Sequence, residues 1–491
     1  MKNVKSLTVV GGGVSGLISA LILKERCNLE INVVYSSSVA TIGVGEGSTE
    51  HFGEFMKFIG IKPSEMIKEC DATFKLSVVF DNWKNNKEND RYIHTVFSTF
   101  SLQFGQYYPI YAKEIGEGSN HLYPKYVDKN IIQSTAIDVD NYPPTRQYHF
   151  NTSKLNEFLT KIAIKKGINI FDDEIIDVKL DQNGYIDSII GKKTKYKTDF
   201  YIDASGFKKV LMNKLGVKWT SYNKYLRVNS AIAFPTKDED NYNYFTLAKA
   251  MNAGWRFKVP VWGRHGNGYV YDDNFITEED AKLEIEKELG HEVEIAKKFK
   301  FDAGVLNSVW TKNCVAMGLS GSFFEPLEAT SIALTIQQSF LLMHKIQNYD
   351  DKVIKDYNYS FNAIVENIRD FIALHYLTKR NDTEFWKYNL KKEIPDSLKN
   401  NLEKWKTKLP VSEDFINSSH YILFGPRNFL LVMAGLDLFD KSAILKEYNF
   451  LSDSLKQEAN NLFKNIIIDL NSEKFISHKE ILTKIRMVDN N

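Results

Sequence analysis

Residues 6–16, SLTVVGGGVSG, constrain the fold more than any other part of the chain. Ser6–Val10 is a short β-rich run, the glycines follow at once, and Val14–Arg26 is apolar at helical spacing. A second β-rich run occupies residues 31–35, so the segment is expected to be a βαβ unit. Gly11, Gly13 and Gly16 fill the places of GxGxxG. In that pattern the first glycine makes the tight turn, the second lets the backbone approach a pyrophosphate, and the third allows close helix packing. The amides at the helix N-terminus then hold phosphate, which predicts a dinucleotide site. Val34, Tyr35, Ser36 and Ser37 close the second strand without the acid that usually takes the ribose hydroxyls.

With 491 residues the chain has room for two or three domain-sized units. Lys+Arg is 63 and Asp+Glu 62, a net charge of +1, which offers no electrostatic basis for nucleic acid or an anionic membrane surface. Small molecules are the expected partners. The three cysteines, Cys27, Cys70 and Cys314, share no CxxC spacing, so neither a disulfide framework nor a metal site is expected. Glycines interrupt the first apolar run and no clear cleavage site follows it, so a cytoplasmic, soluble protein is expected. A homo-oligomer is compatible with all of this.

Alternating strand and helix signals continue through YIDASG at 201–206 and the region 314–336. From about residue 340 the periodicity becomes helical, at 340–377, 396–408 and 441–484. The expected fold is therefore α/β: a Rossmann-like dinucleotide-binding domain over 1–340, with an inserted sheet, and a mainly helical part over 341–491. Residues 81–145, dense in Tyr, Phe, Asn and Pro with weak periodicity, are expected to form an irregular insertion.

Two further segments carry ionisable groups in apolar settings. The run 318–332, GLSGSFFEPLEATSI, contains Glu325 and Glu328. Lys75 sits in ATFKLSVVF beside Phe74, Leu76, Val78 and Val79, whereas a lysine is ordinarily a solvated surface charge. Glutamates in such a run also suit a helix N-terminal cap or an ion pair.

Five segments, in order, resemble the tryptophan-halogenase branch of the flavin-dependent halogenases: VVGGGVSG at 9–16, TIGVGE at 41–46, ATFKLSVVFDNW at 72–83, GWRFKVP at 254–260 and FFEPLEATSI at 323–332. YHFNTSKL at 148–155 and RDFIALHYLTKRNDTEFW at 369–386 extend the similarity. The resemblance implies that reduced FAD, oxygen and halide yield hypohalous acid, which passes through an internal tunnel to an aromatic substrate. It implies Lys75 as the group that holds the oxidant and Glu328 as the catalytic carboxylate. Thr330 and Ser331 match the halide-binding positions, and Trp255 with Phe257 matches the wall between flavin and organic substrate, Phe257 standing where relatives often carry tryptophan. Gly43 and Glu46 belong to the strap over the flavin. YIDASGF resembles the strand and turn that return to the flavin nucleotide in FAD oxidases and monooxygenases, which implies that the domain over 1–340 is an FAD-binding one of the glutathione-reductase type, capped on the substrate side by 341–491, and adds Asp203 and Gly206 to the cofactor residues, with Gly318 beyond them. A single GxGxxG unit leaves no built-in nicotinamide site, so FADH2 is expected from a separate flavin reductase.

Residues 415–431 offer Tyr421, Phe424 and Phe429 for a substrate pocket but no glutamate or tryptophan, and His94 in YIHTVF is a candidate for the side opposite Lys75. An ammonium without a carboxylate is costly to bury, so simple indoles or phenols are expected rather than free L-tryptophan. Bromide and iodide, easier to oxidise, are expected to react more readily than chloride. A flavin aromatic hydroxylase and a noncatalytic escort on an FAD-like fold are the competing readings. Neither requires Lys75 or the EPLEAT run.

Overall fold

The computed structural model describes residues 3–38, 45–87, 90–95, 104–118, 131–133, 139–141, 143–240, 242–415, 422–470 and 475–488. The expected βαβ unit is present as strand Ser6–Val10, helix Val14–Arg26 and strand Glu30–Tyr35. These strands join a six-stranded sheet in the order Trp310–Thr311, Cys314–Ala316, Phe200–Asp203, Ser6–Val10, Glu30–Tyr35, Asn169–Asp172. All its pairings are parallel except that of the short edge strand Trp310–Thr311. Burial on both faces explains the apolar character of the central strands: Leu7, Val9, Ile31, Val33, Phe200 and Ile202 have no exposed surface. From Ser6–Val10 the chain passes to the strand on one side and later returns to the strand on the other. That reversal opens a crevice at the carboxyl ends of the strands, the usual ligand position in open α/β sheets.

A second sheet of seven strands runs Lys297–Lys300, Ser230–Thr236, Arg264–Tyr271, Gly254–Val261, Phe245–Met251, Ser77–Asp81, Arg91–Thr95. Only the pairing of Phe245–Met251 with Ser77–Asp81 is parallel. This inserted sheet brings together segments far apart in sequence, because the strands after Lys75, around Phe257 and around His94 are its neighbours. Part of the expected irregular insertion is thus regular. Arg91–Thr95 is an edge strand of this sheet, and Phe104–Glu117 is a helix despite Pro109. The strand has only five residues, too few to show an alternation in sequence.

Beyond residue 340 the described chain is largely helical. The long helix Asp351–His375 starts where the Asp350 side chain accepts from the amides of Lys352 and Val353. Its apolar stripe, Tyr357, Phe361, Ile364, Ile368 and Phe371, is buried in the same core as the parallel sheet. Each such side chain contributes about 1.5–3 kcal/mol by leaving water. The chain end also returns to the α/β part: strand Phe475–Ser477 pairs with Ile131–Gln133, and the Phe74 amide donates to His478 Nε2 at 3.0 Å. Among the described residues no helix is long and apolar enough to cross a membrane.

Candidate active site

A cavity of about 900 Å³ opens at the crevice between the two sheets. At its phosphate end, Gly11 has φ +121°, and a Cβ there would lie 2.1 Å from the Ala204 carbonyl oxygen. A Cβ on Gly16 would lie 2.0 Å from the Gly11 carbonyl oxygen, so the glycines let strand, turn and helix close on one another. Gly13 differs: nothing lies within 4 Å of its added Cβ, and it begins the helix without a side-chain cap or an acid in the first turn. The helix therefore presents uncapped amides and its positive dipole end to open space, which suits a pyrophosphate.

Tyr35, Ser36 and Ser37 also line the cavity, and acids stand at the end of the neighbouring strand Asn169–Asp172 and just after it. Asp172 takes the Ser37 amide at 3.0 Å and its hydroxyl at 2.8 Å. Asp173 and Glu174 line the cavity itself. Asp173 already accepts from Tyr196 and the amides of Lys193 and Thr194, while Glu174 pairs with Lys192 at 2.6 Å. Sequence reasoning missed these acids because their proximity depends on sheet order.

Gly206 and Glu46 line the cavity, and burial pushes the Glu46 carboxyl up to about 7 against the opposing Thr152 hydrogen bond and Lys297 charge. Gly43 lies outside the described residues. Asp203 requires a correction, because its carboxylate does not line the cavity. It is held by Ser205 and Ser320 on one oxygen and by the amides of Leu211 and Met212 on the other. Asp203 thus fixes the turn that carries Gly206. Gly318 also stands behind the cavity, packed against Ser15 of the first helix.

At the opposite end Lys75 lines the cavity, although its residue is only 1% exposed. Its Nζ donates to the Ser48 carbonyl oxygen at 2.9 Å. Burial pushes the ammonium down to about 8, against the opposing charge of Glu328. Glu328 closes the short turn Pro326–Glu328, and Ala329 follows in the left-handed region at φ +54°. For a residue with a Cβ that conformation costs on the order of 1 kcal/mol, and it redirects the chain into helix Thr330–Lys345. Thr330 and Ser331 line the cavity at the start of this helix, where Ala329 provides no side-chain cap. Neither Glu325 nor Glu328 lines it.

Glu328, 2% exposed, accepts on Oε1 from His94 Nδ1 at 2.8 Å and from His375 Nε2 at 3.1 Å. Burial alone would raise this carboxyl, but the charges and hydrogen bonds of His94 and His375 outweigh burial and hold it down to about 2. Glu325, three residues earlier, accepts from Tyr376 Oη at 2.6 Å and Trp255 Nε1 at 3.1 Å, and burial pushes it up to about 7. Two carboxylates in one short run thus meet opposite electrostatic environments.

Of the two expected wall residues, Phe257 lines the cavity, while Trp255 lies behind it at 6.0 Å between ring centroids, tethered to Glu325. His94, the candidate for the substrate side, stands outside this cavity and bridges Glu328 and Asn428, with Nε2 2.9 Å from Asn428 Oδ1. Phe424 and Phe429 are buried against Phe371, at centroid distances of 4.0 and 5.1 Å, and Phe371 backs both histidines. Tyr421 lies outside the described residues. His375 escaped the sequence reading, although it lies within RDFIALHY, one of the similar segments quoted above.

A dinucleotide crevice joined to a buried ammonium and carboxylate is the arrangement of a flavoprotein oxidoreductase that couples its cofactor to chemistry in an enclosed site. The family model described as tryptophan halogenase matches residues 6–445, and the chain belongs to that family. It is 28% identical to the tryptophan 6-halogenase of Streptomyces toxytricini over 513 aligned positions, covering 92% of this chain and 95% of that protein. The solved tryptophan halogenase of Shewanella frigidimarina superposes with a TM-score of 0.90 at 25% identity, covering 99% of this chain and 98% of the other. A flavin-dependent halogenase from Xanthomonas campestris gives 0.85 at 25% identity, with 99% of each chain covered. The chain is thus a flavin-dependent halogenase-family enzyme that uses reduced FAD and halide, a family served by separate flavin reductases.

The phosphate cradle gives a direct prediction. Gly16→Ala is expected to weaken FAD binding at least about fivefold, because the methyl group must displace the Gly11 backbone at a cost of about 1–3 kcal/mol. Fluorescence titration of FAD checks this, and an unchanged Kd would contradict the cradle.

Proposed function

We propose that this enzyme halogenates small electron-rich aromatic molecules, simple indoles or phenols, with Lys75 holding the oxidised halogen and Glu328 receiving the ring proton. The observation that carries the reading is the placement of Lys75: it lines the cofactor cavity, is nearly inaccessible to solvent and feels the charge of Glu328. Gly11, Gly13, Gly16, Gly206 and Glu46 would hold FAD, with Glu174 beside the adenosine end. Bound and reduced, FAD supplies, with oxygen, the oxidant that turns halide into hypohalous acid. The uncapped helix start at Thr330 and Ser331 suits the halide, and Phe257 provides a flat apolar wall.

Free hypohalous acid is unselective, so its position must be set by the protein. The Lys75 ammonium donates to its oxygen. As the ring attacks the halogen, the carbon–halogen bond forms, the halogen–oxygen bond breaks, and the oxygen leaves as water with a proton from Lys75. Glu328, ionised by its histidines, takes the proton the ring loses, and return of that proton to Lys75 resets the pair. Both groups are buried, which strengthens their interaction relative to water.

Substrate choice follows from charge. Within residues 422–431 the charged side chain is Arg427, bound to Tyr111 Oη and Thr95 Oγ1, and a guanidinium does not receive an amino-acid ammonium. With FAD, a flavin reductase, NADH and oxygen, kcat/KM for indole is expected to exceed that for free L-tryptophan by at least about tenfold, the worth of one unpaired buried polar group. Bromide is expected to outpace chloride. Mass spectrometry of products from an indole and phenol panel measures both, and strong preference for tryptophan would overturn the substrate assignment.

A further inference from the structure

The hydrogen-bond pattern around His375 is overdetermined. Nδ1 lies 2.8 Å from the Phe371 carbonyl oxygen, and Nε2 lies 3.1 Å from Glu328 Oε1. A carbonyl only accepts, so Nδ1 must carry a hydrogen, since a bare nitrogen at that distance would set lone pair against lone pair. Oε1 is met by His94 Nδ1 as well, at 2.8 Å, and an oxygen approached by two ring nitrogens is fully served as the acceptor of both, which places a hydrogen on Nε2 too. His94 is not constrained in this way: its second partner is the Asn428 amide, which offers either an oxygen or an NH2 group to Nε2 by rotation.

We propose that His375 is a positioning residue held as a doubly donating imidazolium, one proton anchored on its own helix and the other clamping Oε1 of Glu328. This rests on the reading of Glu328 as the proton acceptor, and it explains how that acceptor stays ionised and oriented in an apolar enclosure. Phe80, Trp83 and Phe371 surround the imidazole ring, with the Phe80 centroid at 4.9 Å. These rings keep water from the imidazole, and the carboxylate supplies the counter-charge of a cation there. Glu328 is faced by His94 and Tyr92 from strand Arg91–Thr95, by His375 from the long helix, and by Lys75. Both histidine bonds fall on Oε1, leaving Oε2 without a histidine partner to receive the ring proton.

The test reads the proton directly. In 15N NMR of the wild-type protein without substrate at neutral pH, the His375 ring, assigned through its contacts with Phe80 and Phe371, is expected to show both nitrogens protonated. One bare nitrogen there overturns the proposal. His375→Gln keeps a donor toward Glu328 but no charge. Its kcat is expected to acquire an acid limb displaced upward by about one to two pH units, with KM and FAD content unchanged. A profile of unaltered shape also overturns the proposal, because a merely structural role lowers activity evenly with pH. The NMR result is independent of catalysis, so loss of the role assigned to Glu328 would be seen separately, as full activity in Glu328→Gln.

Discussion

Lys75→Met is expected to abolish regioselective halogenation, by at least about 10³-fold in product formation, while the folded protein becomes more stable. The activity loss follows from removing the ammonium proposed to hold hypohalous acid. The stability gain follows from linkage. Burial lowers the Lys75 ammonium from 10.5 to about 8, so the unfolded chain binds the proton more tightly than the folded one. Stability therefore rises as pH increases from about 8 to 10.5, and below 8 the buried charge costs on the order of 3 kcal/mol. Methionine removes that cost, and loss of the hydrogen bond to Ser48 returns about 1–3 kcal/mol of it. Denaturant unfolding near pH 7 is expected to show Lys75→Met the more stable by about 1 kcal/mol, with the difference changing in favour of wild type as pH approaches 10.5. A variant equally stable at both pH values would show that Lys75 bears no desolvation cost.

Glu328→Gln is expected to fail in the opposite sense, losing about 10²–10⁴-fold in kcat and also losing stability. The amide preserves size but cannot receive the ring proton, and it removes the carboxylate charge that the buried His94 and His375 meet. Breaking a buried ion pair from one side costs about 3 kcal/mol. The Glu328 carboxyl is held down to about 2 against an ordinary 4.5, so its contribution to stability is complete above pH 4.5 and lost as pH falls toward 2. The stability gap between wild type and Glu328→Gln should close over that window. FAD binding should be retained by both variants, since Glu328 does not line the cavity and Lys75 stands at the end away from the phosphate cradle.

The parts of the fold and candidate site visible in the sequence are those whose physics is local. Strand, glycines and helix at 6–26 carry their own periodicity, and the open Gly13 corner lies where the spacing expected the pyrophosphate. Lys75 among Phe74, Leu76 and Val78 also signalled burial, because a charge flanked by apolar residues has few other places to go. Elements that depend on distant pairing were hidden. Arg91–Thr95 is a strand because Ser77–Asp81 offers it an edge, and five residues carry too little alternation to show this. The partner of His94 was hidden for the same reason, because the register Val78↔His94 and the arrival of helix Asp351–His375 bring it to Glu328. Asp203 had the right neighbourhood and a different task, because five hydrogen bonds from its own turn and the loop at Ser320 occupy both carboxylate oxygens. Trp255 and Phe257, two apart on one strand, point the same way, but Glu325 draws the indole back so that Phe257 alone of the two reaches the cavity.

Confinement of the oxidised halogen by Lys75 is tested most directly by a scavenger experiment. Wild type and Lys75→Met are supplied with FADH2, oxygen and bromide, and indole is added with an excess of a thioether that consumes free hypobromous acid. Wild type is expected to give a single bromoindole isomer in a yield the thioether leaves unchanged, and Lys75→Met none. Equal quenching of both proteins, or the same isomer in the same yield from the variant, would contradict the account.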